Sequence, residues 1–423
     1  MATRGRGSVE PTRPGRRAQG PAGVSGSIAG GTRSGATADP RPRGRKAARR
    51  IRGDRRCGDR APTVNEKPTP PSLVLGIESS CDETAAAVVS GTTVLGATVA
   101  TQHELHEEYG GVVPEIASRA HLERILPVVR AALDAAGIGL EDLDAVAVGH
   151  RPGLIGALLV GTSAAKALAL GLGIPFLGVD HVHAHLVSGL LHDRDAPEIP
   201  GPRLPAMGVV LSGGHTNLYR IEDLTRPILL GRTIDDAIGE AFDKVAAMLD
   251  LGHPGGPGVE RLAAEGDPTA LDLPVANLGR QRLDFSYSGL KTAVRYAIHG
   301  VPGREVDRTT PRPEDVAASF QAAAIAAVRR NLRRALSAHP DTASLLVGGG
   351  VVANRSVRAM LESECQQAGI EIHLPSMAWS QDNGAMIAAL GGMRLLRGES
   401  DELDLAPAAT TREDRTIPTP PAS

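Results

Sequence analysis

Three things are scarce in this 423-residue chain, and each scarcity excludes something. There are three cysteines, Cys57, Cys81 and Cys365, too few and too scattered for a disulfide framework or a thiolate metal site. A reduced cytoplasm is the expected compartment. No run of 18 apolar residues is present, so no membrane span is expected. Net charge is also scarce, at −2, but that average joins two unlike polymers. Residues 1–72 carry 17 Lys/Arg against 5 Asp/Glu, and the remainder carries 29 against 43. Overall charge therefore decides nothing about partners.

The first 72 residues contain no Phe, Trp or Tyr, and 21 of them are Gly or Pro. Such a stretch cannot bury enough apolar surface to offset its ordering entropy, so it is expected to be disordered. The lack of an apolar h-region argues against a secretory signal. Its arginines resemble those of a transit peptide, but the Gly/Pro density opposes an amphipathic helix. Two readings stay open for it: an extension outside the fold, or a basic arm with affinity for nucleic acid.

From residue 73 the texture changes. Leu73–Ile77, Ala85–Val89 and Thr92–Ala100 read as neighbouring strands, followed by a helix from Ile116 to Ala136 that stops at Gly137. A strand at Asp144–Val148, an Ala-rich helix at Leu154–Leu172 and a strand at Ile174–Val179 complete a first cycle. A second begins with strands at Met207–Leu211, Thr216–Ile221 and Ile228–Ile234. Helices near 239–250, 256–265, 286–298 and 314–338 follow. Strands at Ser344–Val347 and Ile370–His373 and helices near 353–368 and 383–397 end the pattern. Two three-strand openings, each followed by helices, predict a duplicated α/β fold with mixed sheets. The expected lobes are 73–179 and 180–397, with ligand in the cleft between them. The polar, Pro-rich segment after 398 is expected to be disordered.

Three turns after strands carry polar or glycine groups: Glu78–Thr84 is rich in acids and hydroxyls, Ser212–Thr216 joins Gly213 and Gly214 to hydroxyls, and Gly348–Gly350 leads into the helix that contains Asn354. Glycine lets backbone amides approach a phosphate closely, and a helix N-terminus favours negative charge. Three such turns in one chain point towards a nucleotide. His181-Val-His183-Ala-His185 begins a predicted helix, where positions 181 and 185 share a face with Cβ atoms about 5–6 Å apart. That spacing suits two nitrogens on one metal, although capping or partly solvated histidines have the same spacing; His183 points elsewhere. Val182 stands where a metalloprotease would need its glutamate base. In Asp235–Lys244, Asp236 and Asp243 bracket a strand-to-helix entry where a carboxylate could receive a ribose hydroxyl, unless these charges are only a solvated helix face. Phe285–Thr292 reads as a helix cap or a second binding segment.

Glu78–Thr84 (ESSCDET), Gly110–His121 (GGVVPEIASRAH), Ser212–Thr216 (SGGHT) and Ile234–Lys244 (IDDAIGEAFDK) occur in order. Pro254–Pro257 (PGGP), Phe285–Thr292 (FSYSGLKT), Ala317–Gln321 (AASFQ), Gly348–Asn354 (GGGVVAN) and Asp382–Ala388 (DNGAMIA) follow. Together they closely resemble the TsaD family, also called Gcp or YgjD, over residues 73–397. The resemblance implies a two-lobed fold of the sugar-kinase/Hsp70/actin type. It implies transfer of threonylcarbamoyl from threonylcarbamoyl-AMP to the N6 amine of the adenosine 3′ to the anticodon, in tRNAs reading codons that begin with adenine.

By the same resemblance, one Fe(2+) per subunit, or zinc, is held by His181, His185 and Asp382. ATP, ADP or the adenylate takes Val210, Leu211, Ser212, Gly213, Gly214, Asp243, Gly256, Glu260 and Asn354. Asp82 and Glu83 match the acidic pair of the first turn, expected to orient the acceptor amine or take its proton. TsaB-like and TsaE-like proteins are the implied partners besides tRNA. The family's Thr-Ala-Gly-Pro-Gly-Leu turn reads Gly149-His150-Arg151-Pro152-Gly153-Leu154 here; His253 replaces a usual Tyr, and Ser380-Gln381 a usual Cys-Thr. The rival readings are a metal-dependent peptidase, a catalytically inactive scaffold paralogue and a small-molecule kinase.

Overall fold

The short apolar runs pair into sheets and the longer amphipathic stretches cover them, in a computed structural model that describes residues 72–279, 282–302 and 311–411. The first cycle comprises β1 (Leu73–Glu78), β2 (Glu83–Ser90), β3 (Thr93–Thr101), α1 (His103–His106), α2 (Pro114–Ala136), β4 (Ala145–Arg151), α3 (Ile155–Leu172) and β5 (Phe176–Asp180). The five-residue α4 (His181–His185) and a short edge strand, β6 (His192–Asp193), follow. The second comprises β7 (Ala206–Leu211), β8 (Thr216–Ile221), β9 (Ile228–Arg232), α5 (Ile238–Met248), α6 (Gly255–Ala263), α7 (Ser288–His299) and α8 (Pro313–Ala338). It ends with β10 (Ser344–Gly348), α9 (Arg355–Ala368), β11 (Glu371–His373) and α10 (Gly384–Leu396).

The duplication expected from the strand pattern is present in the topology. The first sheet runs β5-β4-β1-β2-β3-β6 and the second β11-β10-β7-β8-β9. In each, the first strand pairs parallel with the fourth and antiparallel with the second, which pairs antiparallel with the third. The turn after β1 therefore corresponds to the turn after β7, and the turn after β4 to the turn after β10. Local chemistry sets the boundaries. Pro114 opens α2, where a missing N–H costs nothing, and Gly137 closes it at φ 72°, its N–H bonded to Leu133 and Asp134 carbonyls.

Helix α4 lies between the sheets. Val182 and Leu186 pack with Val210, Tyr219 and Leu346 of the second sheet, while Ala184 and Val187 join a cluster with Leu177 and Val179 of the first. A buried helix this short has little stability of its own, so packing on both sides and its N-cap hold it.

Two expectations are corrected. The lobes are not contiguous, because α10 returns to pack on β1, β2 and β4 of the first sheet. Its Ala- and Gly-rich face allows this: a Cβ at Gly76 or Gly384 would collide with the opposing backbone. Of the segment expected to be disordered after 398, residues 399–411 run back along the first sheet. Asp401 N–H donates to the Phe176 carbonyl, and the Asp401 carboxylate accepts from Gly178 N–H and Arg394. Residues 412–423 and 1–71 lie outside the described residues. Helix α3 has 18 residues and a mean hydropathy of 1.7, so by length and composition it is long and apolar enough to cross a membrane. Its Ala157, Leu158, Ala165 and Ala169 are instead buried against the first sheet, and Lys166 bonds the Leu405 carbonyl.

Candidate metal centre and active site

The metal triad expected from the resemblance comes together. His181 and His185 project from the same face of α4, their rings edge to face at 4.8 Å. Asp382 arrives from the turn before α10, where the next residue, Asn383, caps that helix through Met386 N–H. Asp382 Oδ1 stands 3.1 Å from His185 Nε2 and 3.6 Å from His181 Nε2, and one ligand atom from each residue lies within 4.8 Å of the others. Ligands about 2.1 Å from a shared ion sit roughly 3.0–3.5 Å apart, so the donor set fits a metal with little movement. Among the described residues, Nδ1 of the buried His185 has no hydrogen-bond partner, while its Nε2 meets the Asp382 carboxylate. His183 points away and meets the Tyr219 ring edge-on, as expected.

Residues that spacing did not single out support the triad. Glu78 Oε2 is 3.0 Å from His181 Nδ1, and Ser80 Oγ is 3.3 Å from the same atom. A carboxylate there fixes the tautomer with Nδ1–H towards Glu78 and leaves Nε2 facing Asp382. Burial opposes a charge on His181, but the fields of Glu78 and Asp382 and the Glu78 hydrogen bond outweigh it and raise the imidazole to about 10. Burial likewise works against the Asp382 charge, while His181 and His185 hold its carboxyl well below the usual carboxylate range. The pocket thus selects a positive charge, for which a proton and a metal ion compete. Asp180 caps α4, its Oδ1 accepting the Val182 and His183 N–H groups.

The first turn, Ser79–Asp82, borders this centre. His121 anchors it: its Nε2–H donates to the Cys81 carbonyl while its Nδ1 accepts from Thr84 Oγ1. Asp82 and Glu83 then meet His103, whose Nε2 lies 3.5 and 3.4 Å from their carboxylates. Burial pushes Glu83 up to about 7; His103 works against this, and Asp382 and Asp82 add to it. A carboxyl poised near neutrality and within the field of Asp382 suits proton transfer. His103 was the missed member of this group; two acids in a turn predict a basic neighbour, but not which one.

The corresponding turn of the second sheet, Ser212–His215, is closed by Ser212 N–H to the His215 carbonyl and His215 N–H to Ser212 Oγ. Gly213 and Gly214 are exposed with negative φ, and a Cβ on either would meet open space. The same holds for Gly256. Nothing in the fold demands glycine at these three positions, whereas a ligand approaching the backbone would. His215 reaches towards the triad. Burial first, then His181 and His185, push it down to about 4, so it is neutral at pH 7.

The other expected nucleotide residues divide. Val210 and Leu211 are buried in β7 and set the turn's position without offering polar groups. Asp243 Oδ1 accepts from Gly255 N–H. Glu260 Oε1 accepts the Arg355 N–H, and Asn354 Oδ1 accepts those of Ser356 and Val357. The sequence pattern predicts that the third Gly turn opens this helix; α9 instead begins at Arg355, capped by Asn354. Asn354 is the N-cap, and it and Glu260 already satisfy three of the four amides offered to an anion. Gly349, at φ 94°, packs on the Leu211 backbone, and Gly348 on that of His185. Asp236 is bound by Lys244 (2.7 Å) and Lys291 (3.0 Å), so it is structural. Asp235 accepts from Ser286, Tyr287 and Ser288, so Phe285–Thr292 is a capped helix entry.

A family model described as "TsaD: tRNA N6-adenosine threonylcarbamoyltransferase" matches residues 93–389. Curated relatives carrying that enzyme name include one from Symbiobacterium thermophilum, 49% identical over 335 residues, which cover 79% of this chain and 94% of the relative. Another from Moorella thermoacetica is 49% identical over 336 residues, 78% of this chain and 94% of the relative. Among solved structures, HypF of T. kodakarensis is similar in fold, with TM-score 0.51 at 15% identity over 78% of this chain and 49% of that one.

Proposed function

This chain belongs to the TsaD family, the tRNA N6-adenosine threonylcarbamoyltransferases, and on that premise we propose how its cleft carries out the reaction. It is a transferase that joins a threonylcarbamoyl group to N6 of adenosine in tRNA. The donor is threonylcarbamoyl-AMP and the acceptor the adenosine 3′ to the anticodon. N6 attacks the carbamoyl carbon, the bond to the phosphate oxygen breaks, AMP departs with the electron pair and the amine gives up a proton. His181, His185 and Asp382 would hold one Fe(2+), zinc being the other candidate. When bound, the ion supplies Lewis acidity and a template for the donor's oxygens.

The chain's own groups divide the remaining work. The Gly213 and Gly214 amides cradle the donor phosphate and stabilise the departing AMP. Asp243 and Gly256 line the nucleoside end, which Glu260 and Asn354 support through the start of α9. Glu83, poised near neutrality, accepts the amine proton, and Asp82 orients the amine with His103. His215 stays neutral and keeps repulsive charge away from the centre.

The observation that carries this reading is the donor set of His181, His185 and Asp382 standing between an acid turn and an open glycine turn. A peptidase base is not favoured, because the buried carboxylate beside His181, Glu78, is committed to the ring's Nδ1. An inactive scaffold has no need of the triad. TsaB-like and TsaE-like proteins act with the chain in the cytoplasm. Leu122 and Leu126 on α2 and Leu159 on α3, all exposed, offer such a partner an apolar surface. The test is reconstitution with tRNA, threonylcarbamoyl-AMP and the bacterial partners. Modified adenosine is expected from wild type and absent with His181→Ala; equal yields would overturn the metal assignment, and none from either would overturn the activity.

A further inference from the structure

Within the described residues, the returning segment 399–411 reaches α4, which carries His181 and His185. Leu405 covers Gly178 of β5, Ala408 N–H donates to the His150 carbonyl (3.0 Å), and the Ala409 carbonyl accepts from Gly153 N–H (3.3 Å). Thr411 Oγ1 then donates to Asp180 Oδ2 at 2.7 Å. Arg151 Nε donates to the same oxygen at 3.1 Å. The other oxygen of this buried carboxylate, Oδ1, caps α4 through Val182 and His183. The two halves of one side chain thus join the helix that carries both histidines to the segment 399–411 and to the turn after β4. Residues 149–154, the end of β4 and that turn, are where the sequence departs from the family's Thr-Ala-Gly-Pro-Gly-Leu, and Arg151, the last residue of β4, has a partner in Asp180. Ala409, Thr410 and Thr411 also form one wall of a cavity of about 680 Å³ whose lining includes Gly214 and His215.

We propose that Thr411 and Arg151 are positioning residues, which act through Asp180 to hold α4 at the angle where His181 and His185 share one ion with Asp382. The inference rests on reading that triad as a metal centre. Five residues of helix have few hydrogen bonds of their own, so the direction of α4 depends on its cap. A buried carboxylate that loses both donors on one oxygen keeps the cap only by leaving that oxygen unsatisfied, and it rotates to recover a partner. Removing a partner bonded directly to a metal ligand weakens affinity about 10–100-fold, and supports one step further out, acting through Asp180, are expected at the low end of that range.

The test titrates Co(II) alone into the full-length apoprotein, following its d–d absorption against a competing chelator. In wild type, one Co(II) is expected, lost in His185→Ala. Arg151→Met with Thr411→Val is expected to weaken Co(II) binding about tenfold and to shift the absorption band, while Thr411→Ser keeps wild-type affinity. If the double variant does not fold, Thr411→Val alone decides on the same readout. Wild-type Co(II) affinity and spectrum in a folded variant, even with a lowered melting temperature, would overturn the proposal and leave 399–411 a packing segment. Absence of stoichiometric Co(II) in wild type would remove the metal reading and this inference with it.

Discussion

The turn after β1 and the turn after β7 occupy the same place in two copies of one topology, yet their chemistry has diverged. The first, between Glu78 and Glu83, is rich in carboxylates, half-buried, and held by His121 and His103. The second, Ser212–His215, has two exposed glycines at its tip, where a Cβ would meet open space. Both border the triad of His181, His185 and Asp382. Glu78 reaches it from the first turn by a hydrogen bond, and His215 from the second through the field of the two histidines. The difference underlies the proposed division of one reaction over a duplicated scaffold, with proton handling on the acid side and phosphate handling on the glycine side.

The comparison breaks most completely if the centre both turns share is removed. His185→Ala is expected to abolish stoichiometric metal and transfer together, read by metal analysis and by mass spectrometry of tRNA nucleosides. Glu83→Gln comes next. It should slow single-turnover transfer by about 10²–10⁴-fold with unchanged affinity for the adenylate. In wild type, transfer should rise with pH through about 7, as Glu83 loses its proton, and level off above. The Glu83→Gln profile should lack that rise.

The glycine side gives smaller effects. Gly214→Val is expected to raise the Kd for the adenylate about tenfold at unchanged melting temperature, since the added side chain meets open space and costs only ligand contact. Gly349→Val is the contrast: with φ at 94° and the Leu211 backbone against it, it should destabilise the fold. His215 gives a pH signature. Its folded value, about 4, lies below the ordinary 6.5, so the unfolded chain binds the extra proton. Its stability contribution is complete above pH 6.5 and is lost as pH falls towards 4, on the order of 3 kcal/mol. His215→Asn should flatten that part of the melting-temperature profile. Deleting residues 1–71 should change least, leaving melting temperature and transfer as they are.

Much of this was legible in sequence because it is local. Strand runs, the Gly137 stop, the i, i+4 histidines and the glycine turns each depend on residues within a few positions of one another. The third ligand was not: Asp382 lies almost 200 residues from His185, and only the family resemblance supplied it. Glu78 and His103 were missed because each works through a partner distant along the chain, and Asp180 because its links to Arg151 and Thr411 are distant, although its cap of α4 is local. The return of α10 to the first sheet and the docking of 399–411 depend on small residues at distant positions, Gly76 and Gly178, making room. Composition after 398 reads as unstructured because that segment borrows its hydrogen bonds from β5 and the turn after β4.

Single-turnover transfer to tRNA, measured over a range of threonylcarbamoyl-AMP concentrations, tests the division of labour most directly. Glu83→Gln should lower the plateau rate without moving the half-saturating concentration, and Gly214→Val should move the half-saturating concentration without lowering the plateau. A lowered plateau at unchanged half-saturation in both variants would contradict it.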